Sequence, residues 1–364
     1  MASPNDCELR AASAGLNYVR DLTVGFTRRK CGKGFRYFDQ DGKPLSSKAH
    51  RNRIDMLVIP PAWTNVWICP DADGHIQATG FDKAGRKQYI YHSRWHEASA
   101  LHKYGRLRLF ANLLPKIRRR VARDLNQESL CKERIVAAVV RLLDKASLRV
   151  GNKQYLLANE SRGATTLTME HVNCTSTEIT LSFKGKSGKQ IELTCSDDKL
   201  RSVIADCENS DCEFLFAYEN EKGYTVPVTS SDVNSYLMEI TAESITAKDF
   251  RTWRGSVVAF TMLKTMEAAM SKTAKKKFIM QAVKGAALAL GNTPAVCRGS
   301  YIHSAILTAA DSDDLPKIIK KMASASRAIT GLSRHENHLV AFLEIIEEEY
   351  TNLVALQVAS RKAA

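Results

Sequence analysis

The last third of the chain contains two segments, Lys248-Asp249-Phe250-Arg251-Thr252-Trp253 and Gly291-Asn292-Thr293-Pro294-Ala295-Val296-Cys297-Arg298-Gly299-Ser300-Tyr301. Together they offer an arginine (Arg251), an amide (Asn292) and a tyrosine hydroxyl (Tyr301) on what read as consecutive helical elements. These are the groups needed to attack a phosphodiester. Taken alone, each residue also fits a structural role, because a tyrosine can pack in a core with its hydroxyl in water.

The charge of the chain favours a polyanionic partner. Among 364 residues, 44% are hydrophobic and 25% charged, which is typical of a globular protein, and the net charge is +14. Residues 1–95 carry 15 Lys and Arg against 9 Asp and Glu, a net of +6, so the other 38 and 30 leave a net of +8. Both parts of the chain are therefore expected to face the same anion.

Basic residues concentrate at three places, each of which also fits an ordinary solvated surface. They are Arg28-Arg29-Lys30; Lys116 with Arg118-Arg119-Arg120 and Arg123; and Lys272 with Lys275-Lys276-Lys277 and Lys284.

Cysteine usage and the first residues predict a soluble cytoplasmic protein. Nine scattered cysteines favour free thiols in a reducing compartment. Cys207 and Cys212 lack the spacing of a zinc site and are interpreted as structural. Met1 to Arg10 has no apolar core typical of a signal peptide, and no window is apolar over the length that spans a bilayer.

Hydrophobic patterns predict an α+β protein. Short alternating segments separated by turns indicate a small antiparallel β domain over residues 1–92, including strands near 65–69, 75–79 and 88–92. Helical spacing over 93–127 and 129–147 begins a larger, mainly α domain (93–364) with a β hairpin insertion at about 164–195. Ser230-Ser231-Asp232 is predicted to cap the first of the helices that continue to the C-terminus.

The turn of this hairpin excludes one nucleotide-binding motif. Gly185-Lys186-Ser187 looks like the end of a P-loop, but Thr180 stands where that motif needs glycine, and both flanks read as strand rather than strand and helix. What remains is Lys186 at a hairpin tip, either solvated or reaching into a groove. Arg149 precedes Gly151-Asn152, which suits a helix C-cap, so it too has a structural interpretation.

Five residues in one order and context resemble type IB DNA topoisomerases of the poxvirus and bacterial class. They are Arg149 in Leu-Arg-Val-Gly-Asn, Lys186 in the hairpin, Arg251 in Lys-Asp-Phe-Arg-Thr-Trp, Asn292 in Gly-Asn-Thr-Pro and Tyr301 in Arg-Gly-Ser-Tyr. The resemblance extends into the N-terminal domain, through Arg53-Ile54, Ile59-Pro60-Pro61-Ala62-Trp63, Gly74-His75-Ile76-Gln77-Ala78-Thr79-Gly80 and Gly85-Arg86-Lys87-Gln88-Tyr89-Ile90-Tyr91-His92. It covers residues 35 to 350.

The resemblance implies a monomer clamped around double-stranded DNA, associated with the nucleoid, that needs neither ATP nor a metal or other cofactor. Tyr301 would attack a backbone phosphate and form a 3′-phosphotyrosyl link. Arg149, Arg251 and Asn292 would hold the phosphate oxygens, and Lys186 would protonate the leaving 5′-oxygen.

The DNA-facing residues implied in the β domain are Lys87, Gln88, Tyr89 and Tyr91. Strand alternation puts Tyr89 and Tyr91 on one face and Gln88 on the other, and core packing of one tyrosine is an equally good interpretation.

One residue departs from the poxvirus pattern, which has histidine where this chain has Asn292. Asparagine donates a hydrogen bond but cannot transfer a proton. Two alternatives stay open: a tyrosine recombinase, which usually carries histidine where Lys248 stands, and an architectural DNA-binding protein that has lost its activity.

Overall fold

The structure, a computed structural model, describes residues 4–32, 34–208, 210, 212–267, 270–325 and 328–363. The chain divides into two compact units, Met1–Lys103 and Tyr104–Ala364. The first unit contains α1 (Pro4–Ser13), β1 (Phe26–Cys31), β2 (Gly34–Phe38), α2 (Lys48–Met56), β3 (Thr64–Ile68), β4 (Ile76–Phe81) and β5 (Lys87–Tyr91). Helix α3 (Ser93–Asp124) follows, and the boundary between the units falls within it.

The five strands of the first unit form one antiparallel sheet in the order β2-β1-β3-β4-β5. Phe26, Ile54, Val66, Ile68 and Ala78 belong to its apolar core. The strands expected near 65–69, 75–79 and 88–92 are confirmed, each within two residues at either end. Three elements of this unit were not predicted, α1, β1 and α2. Helix α2 gave no clear pattern because only Ile54 among its residues is buried.

The second unit is mainly helical, as predicted, and the α+β fold class is confirmed. Its remaining elements are α4 (Lys132–Ala146), α5 (Lys153–Asn159), β6 (Val172–Cys174), β7 (Ile179–Lys184), β8 (Gln190–Cys195), α6 (Asp198–Cys207), β9 (Ala217–Glu219), β10 (Thr225–Pro227), α7 (Ser230–Thr241), α8 (Ala247–Leu263), α9 (Lys272–Ala289), α10 (Pro294–Ser300), α11 (Ser304–Asp311), α12 (Leu315–Ala325) and α13 (Arg334–Ala363). Strands β6, β7 and β8 form the predicted insertion as a three-stranded sheet, and β9 pairs with β10.

Helices α4 and α8 lie at the centre of the second unit. The apolar positions that predicted α4, including Ile135, Val139 and Leu143, are fully buried. Phe250, Trp253 and further residues of α8 belong to the same core cluster as α4. The two segments that carry Arg149 and Arg251 are therefore held by one core.

Two predicted helix ends are wrong. Helix α4 ends at Ala146 and is capped by Ser147 in the left-handed conformation (φ 54°), not by Gly151-Asn152. Asn152 instead caps the start of α5, where its side chain accepts a hydrogen bond from the Gln154 N–H. At the start of α7 the N-cap is Thr229, which exchanges hydrogen bonds with Asp232, because Ser230 already lies inside the helix.

The basic cluster on α3 is ion-paired in part and solvated in part. Arg118 bridges Asp144 and Glu336, at 2.8 Å to each. Arg120 and Arg123 both pair with the buried Asp124. Three of the five basic residues of this segment are therefore ion-paired, whereas Lys116 and Arg119 are exposed.

Candidate active site

Arg251 is buried on α8 and joins three segments. The helix begins at a capping box in which Asp249 accepts hydrogen bonds from Thr246, and Arg106 pairs with the same carboxylate at 2.8 Å. The Arg251 guanidinium donates to the Ser147 carbonyl at the end of α4 and, at 2.8 Å, to the Leu290 carbonyl after α9. Its remaining nitrogen, Nε, is buried without a partner among the described residues.

The Arg251 guanidinium lies over the ring of Tyr301, with 5.0 Å between its central carbon and the ring centroid. Burial lowers the pKa of Arg251, and the charge of Arg149 lowers it further, while Tyr301 acts in the opposite direction. The guanidinium remains a permanent cation. Two arginines and the tyrosine are thus close enough to influence one another.

Arg149 lies in the loop between α4 and α5, which is held by close backbone contacts. Gly151 has φ +90°, a conformation that favours glycine, and a Cβ atom on Gly163 would come within 2.7 Å of the Arg149 carbonyl. That carbonyl accepts a hydrogen bond from the Ala164 N–H at 2.9 Å. The Arg149 side chain donates to the Asn292 amide oxygen. Burial lowers the pKa of Arg149, and Tyr301 opposes this shift.

Asn292 is buried, with 9% of its surface exposed. Its amide oxygen is used by Arg149, whereas its amide nitrogen Nδ2 has no hydrogen-bond partner among the described residues. A buried donor without a partner costs about 1–3 kcal/mol. This side chain therefore presents a free N–H donor next to two guanidinium groups, which suits contact with an anionic oxygen but not proton transfer.

Tyr301 is half-buried and caps the short helix α10, with its N–H donating to the Cys297 carbonyl at 2.9 Å. Helix α8 packs directly against it, because a Cβ atom on Gly255 would lie 2.6 Å from the Tyr301 carbonyl oxygen. The buried Ser256 hydroxyl donates to that carbonyl at 3.4 Å and accepts from the His303 N–H at 3.0 Å. The helix that carries Arg251 thus also fixes the backbone of the tyrosine.

Lys186 is exposed on a single 3₁₀ turn between β7 and β8. The two strands pair from Ile179↔Cys195 to Lys184↔Gln190, which confirms the hairpin that argued against a P-loop. A Cβ atom on Gly185 would lie 2.3 Å from the end of the Ile191 side chain, so a larger residue there requires Ile191 to move. Lys189, which the sequence did not single out, donates to the Asn292 carbonyl at 3.4 Å and joins the turn to the site.

Two cavities bring the five predicted residues of the second unit together. The larger, of about 730 Å³, is lined by Arg149, Lys186 and Tyr301. The smaller, of about 270 Å³, is lined by Arg149, Arg251 and Asn292. Arg149 belongs to both linings, so the predicted residues form one continuous site. The roles assigned to them remain proposals.

The predicted DNA-facing residues of the first unit lie on β5, an edge strand of the sheet. Tyr89 and Tyr91 stack with ring centroids 5.8 Å apart, which confirms that they share a face, and Tyr89 is 42% exposed. Gln88 donates to Asp82 at 3.0 Å, and Lys87 pairs with Asp21 at 2.6 Å. Lys87 and Gln88 therefore already have acidic partners within the unit.

No three His, Cys, Asp or Glu side chains lie together as metal ligands would in the part of the chain that the structure describes. Within the same residues, none of the helices combines the length and apolar character needed to cross a membrane. All nine cysteines are free thiols.

Comparisons with known proteins identify the family of the chain. The family profile for the catalytic core of eukaryotic DNA topoisomerase I matches residues 92–328, and that for the N-terminal domain of bacterial DNA topoisomerase IB matches residues 34–82. DNA topoisomerase 1B of Acanthamoeba polyphaga mimivirus is 33% identical over 296 residues, covering 78% of this chain and 86% of the relative. The vaccinia virus (strain Copenhagen) DNA topoisomerase 1B and the monkeypox virus DNA topoisomerase I are each 24% identical over 251 residues, covering 66% of this chain and 74% of the relative. The chain belongs to the type IB DNA topoisomerase family.

Proposed function

We propose that this chain relaxes supercoiled duplex DNA through a covalent intermediate on Tyr301. The Tyr301 oxygen attacks a backbone phosphorus, a phenol-to-phosphorus bond forms, and the bond from phosphorus to the 5′-oxygen breaks. The hydroxyl releases its proton to water during the attack and takes one back when the strand is resealed. The freed 5′-hydroxyl strand rotates and then attacks back, which restores the DNA and the tyrosine. Because one phosphodiester replaces another, resealing needs no ATP.

Arg149, Arg251 and Asn292 stabilise the charge that gathers on the nonbridging oxygens. Guanidinium groups are fork-shaped permanent cations and suit this task. The observation that supports it most strongly is that Arg251 lies over the Tyr301 ring and Arg149 lines the same cavity as Tyr301, while neither arginine has a carboxylate partner among the described residues. The unpartnered Nδ2 of Asn292 adds a neutral donor.

Lys186 delivers the proton that the leaving 5′-oxygen needs. It is exposed and shares the larger cavity with Tyr301 and Arg149. An ammonium on a flexible stem at a hairpin tip can follow the leaving group as the bond lengthens. Asn292 cannot serve as the donor because an amide does not titrate.

Duplex DNA is the partner, and the first unit provides the second DNA-binding surface. We assign Lys87, Gln88, Tyr89 and Tyr91 to that surface, where an amide reads adenine and tyrosines contact phosphates or thymine methyl groups. DNA contact by Lys87 and Gln88 would exchange their bonds to Asp21 and Asp82 for bonds to the nucleic acid. The enzyme acts as a monomer that clamps the duplex, in the cytoplasm and associated with the nucleoid.

Relaxation of a supercoiled plasmid in EDTA, without ATP, tests this function. We expect complete relaxation, whereas an architectural DNA-binding protein would bind the plasmid and leave its linking number unchanged. Folded, DNA-binding protein that relaxes nothing under these conditions would refute the proposal.

A further inference from the structure

Arginine side chains of the second unit that are not fully exposed fall into two groups. Seven of the ten in the described residues form an ion pair with a carboxylate: Arg106, Arg108, Arg118, Arg120, Arg134, Arg141 and Arg201. The other three, Arg149, Arg162 and Arg251, have no carboxylate partner within the same residues. Two of these three belong to the proposed active site.

Arg162 is held in place but only partly used. Its N–H donates to the Lys184 carbonyl on β7 at 2.9 Å, and its Nη1 donates to the Thr166 carbonyl at 2.7 Å. No described residue accepts a hydrogen bond from Nε or Nη2 of Arg162. Neither nitrogen is among the fully buried polar atoms that lack a partner, so both can be reached from the cavities. One edge of the fork is therefore fixed while the other is available to an anionic oxygen.

The position of Arg162 connects it to the active site. Among the described residues, only Arg149 and Arg162 line both the 730 Å³ cavity that contains Tyr301 and the 270 Å³ cavity that contains Arg251. Arg162 thus lies beside Arg149 in the lining of both cavities, one of which also contains Tyr301.

We infer that Arg162 binds a DNA backbone phosphate next to the one that Tyr301 attacks. This inference rests on the proposed function of the site. With the attacked phosphate between Arg149 and Arg251, the neighbouring phosphate enters the space that Arg149 and Arg162 share. The contact forms in the bound duplex before any bond breaks, so it contributes to affinity and register rather than to the chemical step.

The test measures binding of a short labelled duplex at several salt concentrations, with Tyr301→Phe in every protein so that no covalent capture occurs. Removing one phosphate contact with Arg162→Ala is expected to weaken binding about tenfold and to reduce the slope of log Kd against log salt by about one. Arg162→Lys should keep the slope because it keeps the charge. Arg201→Ala is the matched control, since it removes a half-buried arginine that Asp198 already neutralises.

The rate of cleavage at saturating DNA, measured with Tyr301 intact, distinguishes a contact with the neighbouring phosphate from a contact with the attacked phosphate. We expect Arg162→Ala to cleave within about threefold of the wild-type rate. An affinity and salt slope equal to those of Arg201→Ala, or cleavage slowed a hundredfold at unchanged affinity, would overturn the inference. If Arg162→Ala does not fold, Arg162→Gln replaces it in both assays, because it keeps an N–H donor for Thr166. The same results are expected. Absence of a wild-type adduct with Tyr301 would instead reject the proposed function itself.

Discussion

Glu336 accepts hydrogen bonds from two helices and one loop and supports the helix that carries Arg251. Arg118 on α3 and Trp253 on α8 donate to its Oε1 at 2.8 and 2.9 Å, and the Ser333 N–H donates to Oε2 at 2.7 Å. Glu336 is buried, with 8% of its surface exposed. We predict that Glu336→Gln, which keeps the size of the side chain but removes its charge, destabilises the fold.

The magnitude follows from the pKa of Glu336. Burial alone would raise it, but the hydrogen bonds from Arg118, Trp253 and Ser333 lower the pKa from 4.5 to about 2. This difference corresponds to about 3 kcal/mol of unfolding free energy. Because the pKa in the folded protein lies below that in the unfolded chain, the stabilisation is complete above about pH 5 and is lost as the pH falls toward about 2.

Urea unfolding followed by tryptophan fluorescence measures this contribution. At pH 7 the variant should unfold with about 3 kcal/mol less free energy than the wild type, and the gap should narrow by about 2 kcal/mol at pH 3. Glu348→Gln, an exposed glutamate on the same helix, is the control and should change little. A gap that is absent at pH 7, or that stays constant down to pH 3, would refute the reasoning.

Three further predictions concern the active site. Arg251→Ala should slow DNA cleavage about a hundredfold or more. An unchanged cleavage rate would show that Arg251 has a structural role only. Gly255→Ala should slow cleavage at least about tenfold at unchanged DNA affinity, because its Cβ would displace the Tyr301 backbone. The control is Gly285→Ala, whose Cβ meets only the flexible Met262 sulfur and which should be nearly neutral. Equal cleavage rates for the two variants would contradict this prediction. Asn292→His should remain active and acquire a pH dependence of cleavage near about pH 6.5, and a profile as flat as that of the wild type would show that this side chain does not contact the reacting phosphate.

The sequence was sufficient to predict those features that depend on neighbouring residues along the chain. Alternation on both sides of Gly185 predicted the hairpin that carries Lys186, and apolar spacing predicted α4. The segments around Arg251 and Tyr301 were identified by their motifs, and the structure brings both residues together. Local reasoning also separated Gln88 from Tyr89 and Tyr91 through the period of two along a strand.

Other features depend on contacts between distant segments. Ser147 caps α4 in a left-handed conformation that its residue type does not announce, and its carbonyl is bound by Arg251 from α8. In the sequence, Gly255 looks like an ordinary helix residue. Its close contact with the Tyr301 carbonyl appears only in the folded protein. Arg162 follows no motif, and its relevance appears only when the ion pairs of the other arginines are known. Ion pairs likewise show which basic residues of the α3 cluster are neutralised within the protein. Composition alone suggested that the whole cluster could face solvent or an anion.

A denaturing gel of the protein with end-labelled duplex DNA tests the central claim most directly. The wild type should give a denaturation-resistant protein–DNA adduct joined to the 3′ end of the cleaved strand, and Tyr301→Phe should give none while binding the duplex with the same affinity. An adduct that persists in Tyr301→Phe would place the nucleophile elsewhere and contradict the account.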